Sequence, residues 1–505
     1  MNDEFFNNIN GYSLDYNQRK IVLDESNTLL VIAGAGSGKT LTMVSKIKFL
    51  IEKKHINPKD ILCISFTNET VNNLKEKINY DVNIYTFHKL GLKILKSHNI
   101  YYQIAPSDLL EYIVNEYFES SLFYEKCLKY ILSYFNYLIE DNNISIEKIK
   151  NKYNKLFISY KKLIIKFINI LKCNDKSIND IRLMLLNNKI KYLFNRKESY
   201  KNKCFFVIVL SIYKIYLEEL NSYYTIDFDM MIDISSKVID KYGLKKIYKY
   251  IIIDEFQDTS YIRYNLINKI KEESDCKLVC VGDDFQSIYR FSGCNLDLFI
   301  NFKRYFINSK ILYMTKTYRN SLDLLMIANK FILKNRYQIR KYVISDKRLL
   351  FPIKIVYYTK SNYKNVFFDL LEYFYKENKK NILVLGRCNY DIKKVYDKEL
   401  NNNYIEYKDM NVRYLTVHKS KGLECDNVIV LNLVNDVLGF PNQIEDDKVL
   451  NLVLKSKEKY LYAEERRLFY VALTRTKNSV YLMTMKNNES IFIKEIKNKC
   501  EVLKI

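Results

Sequence analysis

The chain has 505 residues, with 81 Lys and Arg against 58 Asp and Glu, which gives a formal net charge of +23 at pH 7. This length accommodates two to four domains, and the excess of basic over acidic residues favours a polyanionic partner. No apolar run approaches a membrane span of about 20 residues, the first ten residues are polar, and ten cysteines form no C-x₂-C pair. We therefore expect no membrane contact and a reducing, cytoplasmic compartment.

The first predicted strand, 29–33, runs into a glycine-rich turn that ends in Lys39 and Thr40. The glycines let backbone N–H groups surround a phosphate, Lys39 can reach the terminal phosphates, and the Thr40 hydroxyl can ligate Mg²⁺. The following helix adds its N-terminal partial positive charge. Ala33 stands where the general pattern G-x-x-x-x-G-K-[ST] has its first glycine. The segment predicts a nucleoside-triphosphate site, the alternative being a glycine-rich turn with a chance GKT.

Two further strands are predicted at 61–66 and 82–86, with amphipathic helices between them. Strands that alternate with helices are typical of a parallel, doubly wound sheet. From about 99 to 220 the pattern changes to long helical stretches rich in Tyr, Lys, Asn and Leu. We interpret this region as an inserted helical domain. Its lysines either grip duplex DNA or belong to a solvated bundle.

A fourth strand, 250–253, runs directly into Asp254 and Glu255. Ligands of open α/β sheets bind at the carboxyl ends of strands. Two adjacent acids there suit a metal ligand, Asp254, and a group that polarises water, Glu255. A solvated turn would also explain the pair. Together with the phosphate-binding turn, however, the pair indicates a nucleoside-triphosphatase.

The strand predicted at 277–281 precedes Gln286, Tyr289 and Phe291. A glutamine just past a strand end can hydrogen-bond both a γ-phosphate and the attacking water. Two aromatic residues spaced two apart can project to one side, where stacking a base is worth about 1–3 kcal/mol. Aromatic core packing is the alternative for each ring.

A second α/β unit is predicted in the remainder of the chain. Its strands are expected at 311–314, 353–358, 381–385, 427–433 and 479–484. Tyr318 offers an aromatic face for adenine beside the guanidinium of Arg319. The helical segment 464–475 carries several arginines and ends at Arg475, which can act as an arginine finger between two lobes. A surface helix with charge pairs is the alternative.

Taken in order, these segments resemble the motifs of superfamily 1 helicases of the UvrD/Rep type, and their sequences are most similar to those of the DNA helicase IV group. The matching segments are LDYNQ (14–18), AGAGSGKT (33–40), ISFTNET (64–70), YTFHKLG (85–91), IDFDMMI (226–232), IIIDEFQDTS (251–260), VGDDFQSIYRFSG (281–293), KTYRNS (316–321), LTVHKSKGLECDNVIV (415–430) and EERRLFYVALTRTK (464–477). The resemblance covers about 1–98 and 206–505. Phe291 stands where the family usually has a tryptophan, and Ser292 where an arginine is common.

The resemblance implies an α/β fold of two RecA-like, doubly wound parallel-sheet lobes of the P-loop NTPase class, with an all-helical subdomain inserted. The expected divisions are lobe 1A at 1–98 and 206–305, the helical insert 1B at 99–205, and lobe 2A at 306–505. The family's large 2B domain is expected to be reduced to a short linker near 390–411.

The resemblance also implies the roles of individual residues. Catalytic roles fall to Lys39, Glu255, Gln286, Arg319 and Arg475. ATP binding falls to Gln18, Ala33, Gly34, Ala35, Gly36, Ser37, Gly38, Lys39, Thr40, Tyr318 and Glu424, and Mg²⁺ binding to Thr40 and Asp254. The single-strand track is expected to include Phe66, Thr67, His88, Tyr289, Phe291 and His418.

The implied activity is an ATP-dependent DNA helicase or translocase that moves 3′ to 5′ on single-stranded DNA, at 3′ overhangs or forks, in repair, replication or recombination. DNA is expected in preference to RNA because the motifs resemble the DNA-acting branch. One alternative is a translocase that needs a protein partner in place of the 2B domain. Another is a nucleic-acid-sensing ATPase subunit of a larger repair or defence complex. The expected location is the cytoplasm with the nucleoid, or the nucleus or a viral factory for a eukaryotic or viral source.

Overall fold

A computed structural model of the chain describes residues 4–119, 146–191, 196–454, 458 and 460–505. The strands are β1 Thr28–Ala33, β2 Ile61–Ser65, β3 Asn83–Thr86, β4 Gln103–Ile104, β5 Thr225–Ile226, β6 Tyr250–Ile253, β7 Lys277–Gly282, β8 Lys310–Met314, β9 Ile353–Tyr358, β10 Asn381–Gly386, β11 Tyr404–Ile405, β12 Asn411–Thr416, β13 Cys425–Val430, β14 Thr476–Met485 and β15 Glu501–Leu503. The α-helices are Tyr16–Leu23, Lys39–Glu52, Asn68–Ile78, Phe87–Ser97, Leu109–Glu119, Ile146–Cys173, Ile178–Lys191, Arg196–Ser222, Phe228–Tyr242, Tyr261–Ser274, Asp297–Ile300, Phe302–Tyr305, Leu322–Ile332, Tyr363–Lys376, Ala463–Leu473 and Ile491–Ile496.

The first sheet has six parallel strands in the order β3-β2-β6-β7-β1-β8. Every residue of β1, TLLVIA, is buried, because helices cover both faces of such a sheet and leave no polar side to its central strands. The five strands predicted from 29 to 281 are present at nearly the predicted positions. Since all six strands are parallel, their carboxyl ends lie along one edge of the sheet, and the loops that follow them meet there.

The placement of the strand predicted at 311–314 was wrong. We expected it in the second α/β unit, whereas β8 pairs with β1 in the first sheet, with Ala33 opposite Met314. The expected division at 305/306 therefore falls before the last strand of the first sheet. An apolar strand does not specify which of two sheets it joins. In the structure, β8 joins the first sheet because it pairs with the edge of β1 that β7 leaves open.

The second sheet has seven strands in the order β11-β12-β10-β13-β14-β9-β15, parallel except for the β11–β12 pair. The strands predicted at 353–358, 381–385, 427–433 and 479–484 correspond to β9, β10, β13 and β14. β12 was not predicted, because a partly exposed Arg413 interrupts its apolar run between the buried Val412 and Tyr414. The region near 390–411 contains a short 3₁₀ turn at Ile392–Lys394, the two residues of β11 and the first residue of β12.

Helices between β4 and β5 form the insert, whose described part has its own apolar core. The expectation of helix at 120–145 and 192–195 lies outside the described residues. The expected insert boundary at 205 falls inside the helix Arg196–Ser222, and the core extends to Leu220. This core also contains Val449, Leu450, Val453 and Leu454 from the second half of the chain. The insert is therefore packed against a segment from the second half of the chain.

Cys276 and Cys280 are buried, as expected for core positions. Among the described residues, no group of three or more His, Cys, Asp or Glu side chains is arranged to hold a metal ion. None of the helices in the described part of the chain combines the length and the apolar run that a membrane crossing needs.

Candidate functional site

The turn after β1 is shaped by two glycines with left-handed backbone. Gly36 has φ +68° and Gly38 has φ +81°, and a Cβ on Gly36 would lie 2.4 Å from Cβ of Arg319. The helix Lys39–Glu52 begins directly after Gly38, which carries no side chain to cap it. The helix N-terminus therefore keeps backbone N–H groups available for an anion.

Asp254 and Glu255 lie at the carboxyl end of β6, two strands from the phosphate-binding turn. Lys39 Nζ lies 2.7 Å from Glu255 Oε1, and Asp254 Oδ1 accepts a hydrogen bond from the Glu255 N–H at 2.9 Å. Burial and the neighbouring Glu255 charge raise the pKa of Asp254. Burial also opposes ionisation of Glu255, but Lys39 and Lys421 outweigh it and leave the pKa of Glu255 below its usual value. Glu255 is thus an anion at neutral pH.

Lys421, which was not predicted as a site residue, is contributed to this acid cluster by the second half of the chain. Its Nζ lies 3.8 Å from Glu255 Oε2 and forms an ion pair with Asp258. Burial would lower the pKa of Lys421, but Asp258 and Glu255 raise it. The lysine before Gly422 in KSKG was the only available signal, and sequence spacing could not show that it faces Asp258.

Gln286 and Arg475 come together across the two sheets. Arg475 Nη2 donates to Gln286 Oε1 at 3.0 Å, and Gln286 Nε2 donates to Asp283 Oδ2 at 2.6 Å. Arg475 is 1% exposed, and burial together with the charge of Arg319 lowers its pKa to about 9. The alternative of a surface helix is wrong, because Arg466 and Arg467 on the preceding helix are also buried.

Tyr318 and Arg319 lie beside the phosphate-binding turn because β8 ends next to β1. The Tyr318 N–H donates to the Gly36 carbonyl at 2.9 Å, and Arg319 Nε donates to Glu424 Oε2 at 2.8 Å. A cavity of about 540 Å³ lies between these elements. Its lining includes the predicted residues Gly36, Ser37, Gly38, Lys39, Thr40, Glu255, Gln286, Tyr318, Arg319, Glu424 and Arg475, together with Tyr12, Lys347 and Lys477, which sequence reasoning missed.

Gln18 lies beside this cavity with its amide already hydrogen-bonded. It belongs to a capping box with Asp15 at the start of the helix Tyr16–Leu23, and its Nε2 donates to the Ser37 carbonyl at 3.2 Å. A Cβ on Gly38 would lie 2.8 Å from that nitrogen. Gln18 therefore supports the backbone of the phosphate-binding turn.

Three of the six predicted track residues form one aromatic group. The ring of Phe291 lies 6.1 Å from that of Tyr289 and 5.6 Å from that of His418, and the Tyr289 hydroxyl donates to the His418 carbonyl at 3.3 Å. Phe291 is 48% exposed, so the alternative of core packing does not hold for this ring. Burial and nearby Arg387 lower the pKa of His418 to about 4, which keeps its ring neutral at pH 7.

Phe66 and His88 follow β2 and β3 at the same edge of the first sheet. His88 packs on Phe228 at 4.9 Å between ring centroids, and the Arg263 guanidinium lies 5.3 Å from the centre of the Phe66 ring. Phe228, half exposed, was missed although it lies within IDFDMMI. The Thr67 hydroxyl accepts from the Thr70 N–H at 3.1 Å and caps the helix Asn68–Ile78.

Lys341 is a buried cation that the sequence did not reveal. It is paired with both Asp283 and Asp284, at 2.7 Å from Asp284 Oδ1, and its Nζ lies 3.7 Å from the centre of the Phe285 ring. Asp283 also holds Gln286. Lys341 thus fixes the loop that presents Gln286 to Arg475.

We expect Lys341→Met to lower the free energy of unfolding by about 3–5 kcal/mol, because it leaves two buried carboxylates without their cation. Urea denaturation followed by circular dichroism measures the loss. Lys330→Met, at an exposed position on the helix Leu322–Ile332, is the matched control and should change stability by less than about 0.5 kcal/mol. Equal stability of the two variants would contradict the role assigned to the ion cluster.

Three features define a P-loop nucleoside-triphosphatase with two α/β lobes. They are a phosphate-binding turn after β1, an acid pair at the end of β6 in the same sheet, and an arginine that directly precedes β14 of the second sheet. Two family matches make the assignment narrower. The UvrD/REP helicase N-terminal domain matches residues 14–307, and the UvrD-like helicase C-terminal domain matches residues 406–487. The chain belongs to the UvrD/REP helicase family, which places it among the ATP-dependent DNA helicases.

Several curated proteins are similar over most of the chain. DNA helicase IV of Escherichia coli (strain K12) is 26% identical over 510 residues, which cover 98% of this chain and 72% of that protein. ATP-dependent DNA helicase Rep of Buchnera aphidicola subsp. Baizongia pistaciae is 28% identical over 83% of this chain and 59% of its own length. A probable DNA helicase of Mycoplasma pneumoniae is 25% identical over 94% of this chain and 83% of its own length.

Proposed function

We propose that this protein is an ATP-driven motor that moves 3′ to 5′ on single-stranded DNA. The observation that carries the proposal is the buried hydrogen bond between Arg475 and Gln286, with Glu255 on the neighbouring strand end. A catalytic cleft that two sheets complete together changes shape when its nucleotide changes, and this couples hydrolysis to relative movement of the lobes. Family membership supports DNA as the track.

In the proposed reaction, Glu255 accepts a proton from the water that attacks the γ-phosphate of ATP. Its lowered pKa keeps the carboxylate ionised, and so without a proton of its own, at neutral pH. Gln286 orients the water, while Lys39, Arg319 and Arg475 stabilise the negative charge of the transferring phosphoryl group. Tyr318 packs on the adenine, and Glu424 lies on the ribose side of the cavity.

The residues present fit a magnesium ion. Thr40 lies in the first turn of the helix Lys39–Glu52, and Asp254 directly follows β6. Their hydroxyl and carboxylate offer the hard oxygen ligands that Mg²⁺ prefers. Thr40 and Asp254 are the proposed ligands, and the ion would neutralise charge on the β- and γ-phosphates. Burial and the neighbouring Glu255 charge raise the pKa of Asp254, and a bound cation would favour its ionised form.

The proposed strand track uses Phe66, Thr67, His88, Tyr289, Phe291 and His418. We expect Phe291→Ala to weaken binding of oligo(dT) by about 1–3 kcal/mol, the value of one base–ring stack, while ATP binding changes little. Fluorescence anisotropy of labelled oligo(dT) and titration with a fluorescent ATP analogue measure the two affinities. Tyr313→Ala, which removes an exposed ring on β8, is the control. Equal losses of DNA and ATP affinity in Phe291→Ala would contradict the assignment.

Steady-state ATP hydrolysis with poly(dT), poly(U) or duplex DNA tests the function itself. We expect strong stimulation by poly(dT) and little by poly(U). Equal or greater stimulation by poly(U) would indicate that the substrate is RNA. No stimulation by any polymer would contradict an autonomous single-strand motor.

A second candidate is a translocase that unwinds little by itself. It is favoured by the region near 390–411, where the 2B domain is expected to be reduced to a linker. This region holds a 3₁₀ turn and the two-residue strand β11. A strand-displacement assay on a 3′-tailed duplex, with and without a single-strand-binding protein, separates the two. Displacement by the protein alone would reject the second candidate, and displacement only with the added protein would favour it.

A further inference from the structure

Residues 442–454, here called the strap, run from the second lobe into the core of the helical insert. The strap precedes the helix Ala463–Leu473, which leads to Arg475. Four of its apolar side chains are at most 8% exposed and belong to the same buried cluster as Phe167 and Phe205 of the insert; they are Val449, Leu450, Val453 and Leu454. Burial of four such side chains makes this an apolar attachment between two parts of the chain that lie far apart in sequence.

Two lysines of the insert add polar contacts to the strap. Lys166 Nζ lies 2.5 Å from Asp446 Oδ1, and Lys176 Nζ donates to the Leu452 carbonyl at 3.0 Å. The insert is also fixed to the first lobe, because the nearly buried Lys172 lies 2.7 Å from Asp227 Oδ2. The insert therefore bridges the first lobe and the strap of the second.

The strap forms one wall of the cavity onto which the proposed track opens. Phe291 and His418 line a cavity of about 740 Å³, and Lys166 and the strap residues from 442 to 446 line it as well. The aromatic group, the insert and the strap thus face a common space.

We propose that the strap and the insert close the strand track into a channel, so that single-stranded DNA passes between the aromatic group and the strap. This inference rests on the proposed strand track. A strand with a free end threads into the channel, whereas a circular strand enters only when the strap separates from the insert. The closed channel retains the motor on DNA without a large additional domain.

A cross-link between the insert and the strap tests the channel directly. Lys166→Cys and Asp446→Cys are combined in the full chain and joined by a short bis-maleimide, with each single variant as a control for the ten native cysteines. The protein is loaded on circular or linear single-stranded DNA of equal length, cross-linked, and washed in about 1 M salt, where the Debye length is about 3 Å. We expect the cross-linked double variant to stay on circles and to leave linear DNA.

The reverse order provides a second readout. Cross-linked before DNA is added, the double variant should bind linear oligo(dT) and fail to bind circles. Equal loss from circles and linear DNA in the first order, or equal binding to both in the second, would overturn the channel. Failure of the protein to bind linear DNA before any cross-link would overturn the strand track itself, so the two failures are distinguishable.

A charge exchange supplies an independent test without a cross-linker. Asp446→Lys places two cations together and should speed dissociation from circles relative to linear DNA by about two- to five-fold, as expected for one exposed ion pair. Adding Lys166→Asp restores an opposite-charge pair and should restore the ratio. Lys162→Ala, at an exposed position one turn earlier on the same helix, should leave the ratio unchanged. An unchanged ratio in Asp446→Lys would overturn the assignment of this contact as the closure.

Discussion

Replacing Glu255 with Gln is expected to reduce DNA-stimulated ATP hydrolysis by at least about 100-fold, because the proton acceptor is lost while the shape of the side chain is retained. Its carboxylate lies 2.7 Å from Lys39 Nζ and is ionised at neutral pH. Single-turnover hydrolysis with phosphate detection measures the effect. A fluorescent ATP analogue, expected to bind with nearly unchanged affinity, separates loss of chemistry from loss of binding.

The matched control for this variant is Glu76→Gln, which makes the same change at an exposed position on the helix Asn68–Ile78. It should hydrolyse ATP at the wild-type rate. Activity above about a tenth of wild type in Glu255→Gln would exclude Glu255 as the proton acceptor, since general-base catalysis contributes about 100-fold or more. Asp258, the next carboxylate of this cluster, would then be the first candidate for the proton acceptor.

Arg475→Lys is expected to lower the rate of hydrolysis by about 1,000-fold or more, the range measured for loss of an arginine finger. Lysine keeps the charge but cannot reproduce the fork with which Arg475 reaches Gln286, Val471 and Leu423 at once. The rate should fall with little change in the affinity for ATP, because the contact serves the transition state. Rapid-quench measurement at saturating ATP gives the rate of the chemical step.

Arg348→Lys, an exposed arginine paired with Asp323, is the control for the loss of a guanidinium and should be active. A large increase in KM without a change in kcat for Arg475→Lys would show that Arg475 binds the nucleotide equally in ground and transition states. That result would contradict the finger.

Most of the nucleotide-binding elements could be predicted from the sequence because they are local. Glycines at 36 and 38 are required where the backbone is left-handed. An apolar strand followed directly by Asp254 and Glu255 predicts that both acids lie at the carboxyl edge of a parallel sheet, where ligands bind. Nine of the ten predicted strands lie in the sheet to which we assigned them.

The misplaced strand shows where local information ends. The residues of β8 are as compatible with one sheet as with the other, and only the open edge beside β1 places them. The same limit applies to Lys341 and Lys421. Each is one lysine among many in a basic chain, and each acquires a role because folding buries it between carboxylates.

The sequence by itself determined the class of chemistry, since phosphate recognition depends on backbone conformations and residue types that neighbours in the chain supply. Only the tertiary structure decided which residues from the two lobes meet. The Arg475–Gln286 bond joins residues 189 positions apart, and the strap reaches an insert core built from the first half of the chain. Such contacts depend on apolar burial and charge pairing. Many apolar or charged residues of the chain could serve as the partner, so the actual partner is specified only when the complete chain is packed.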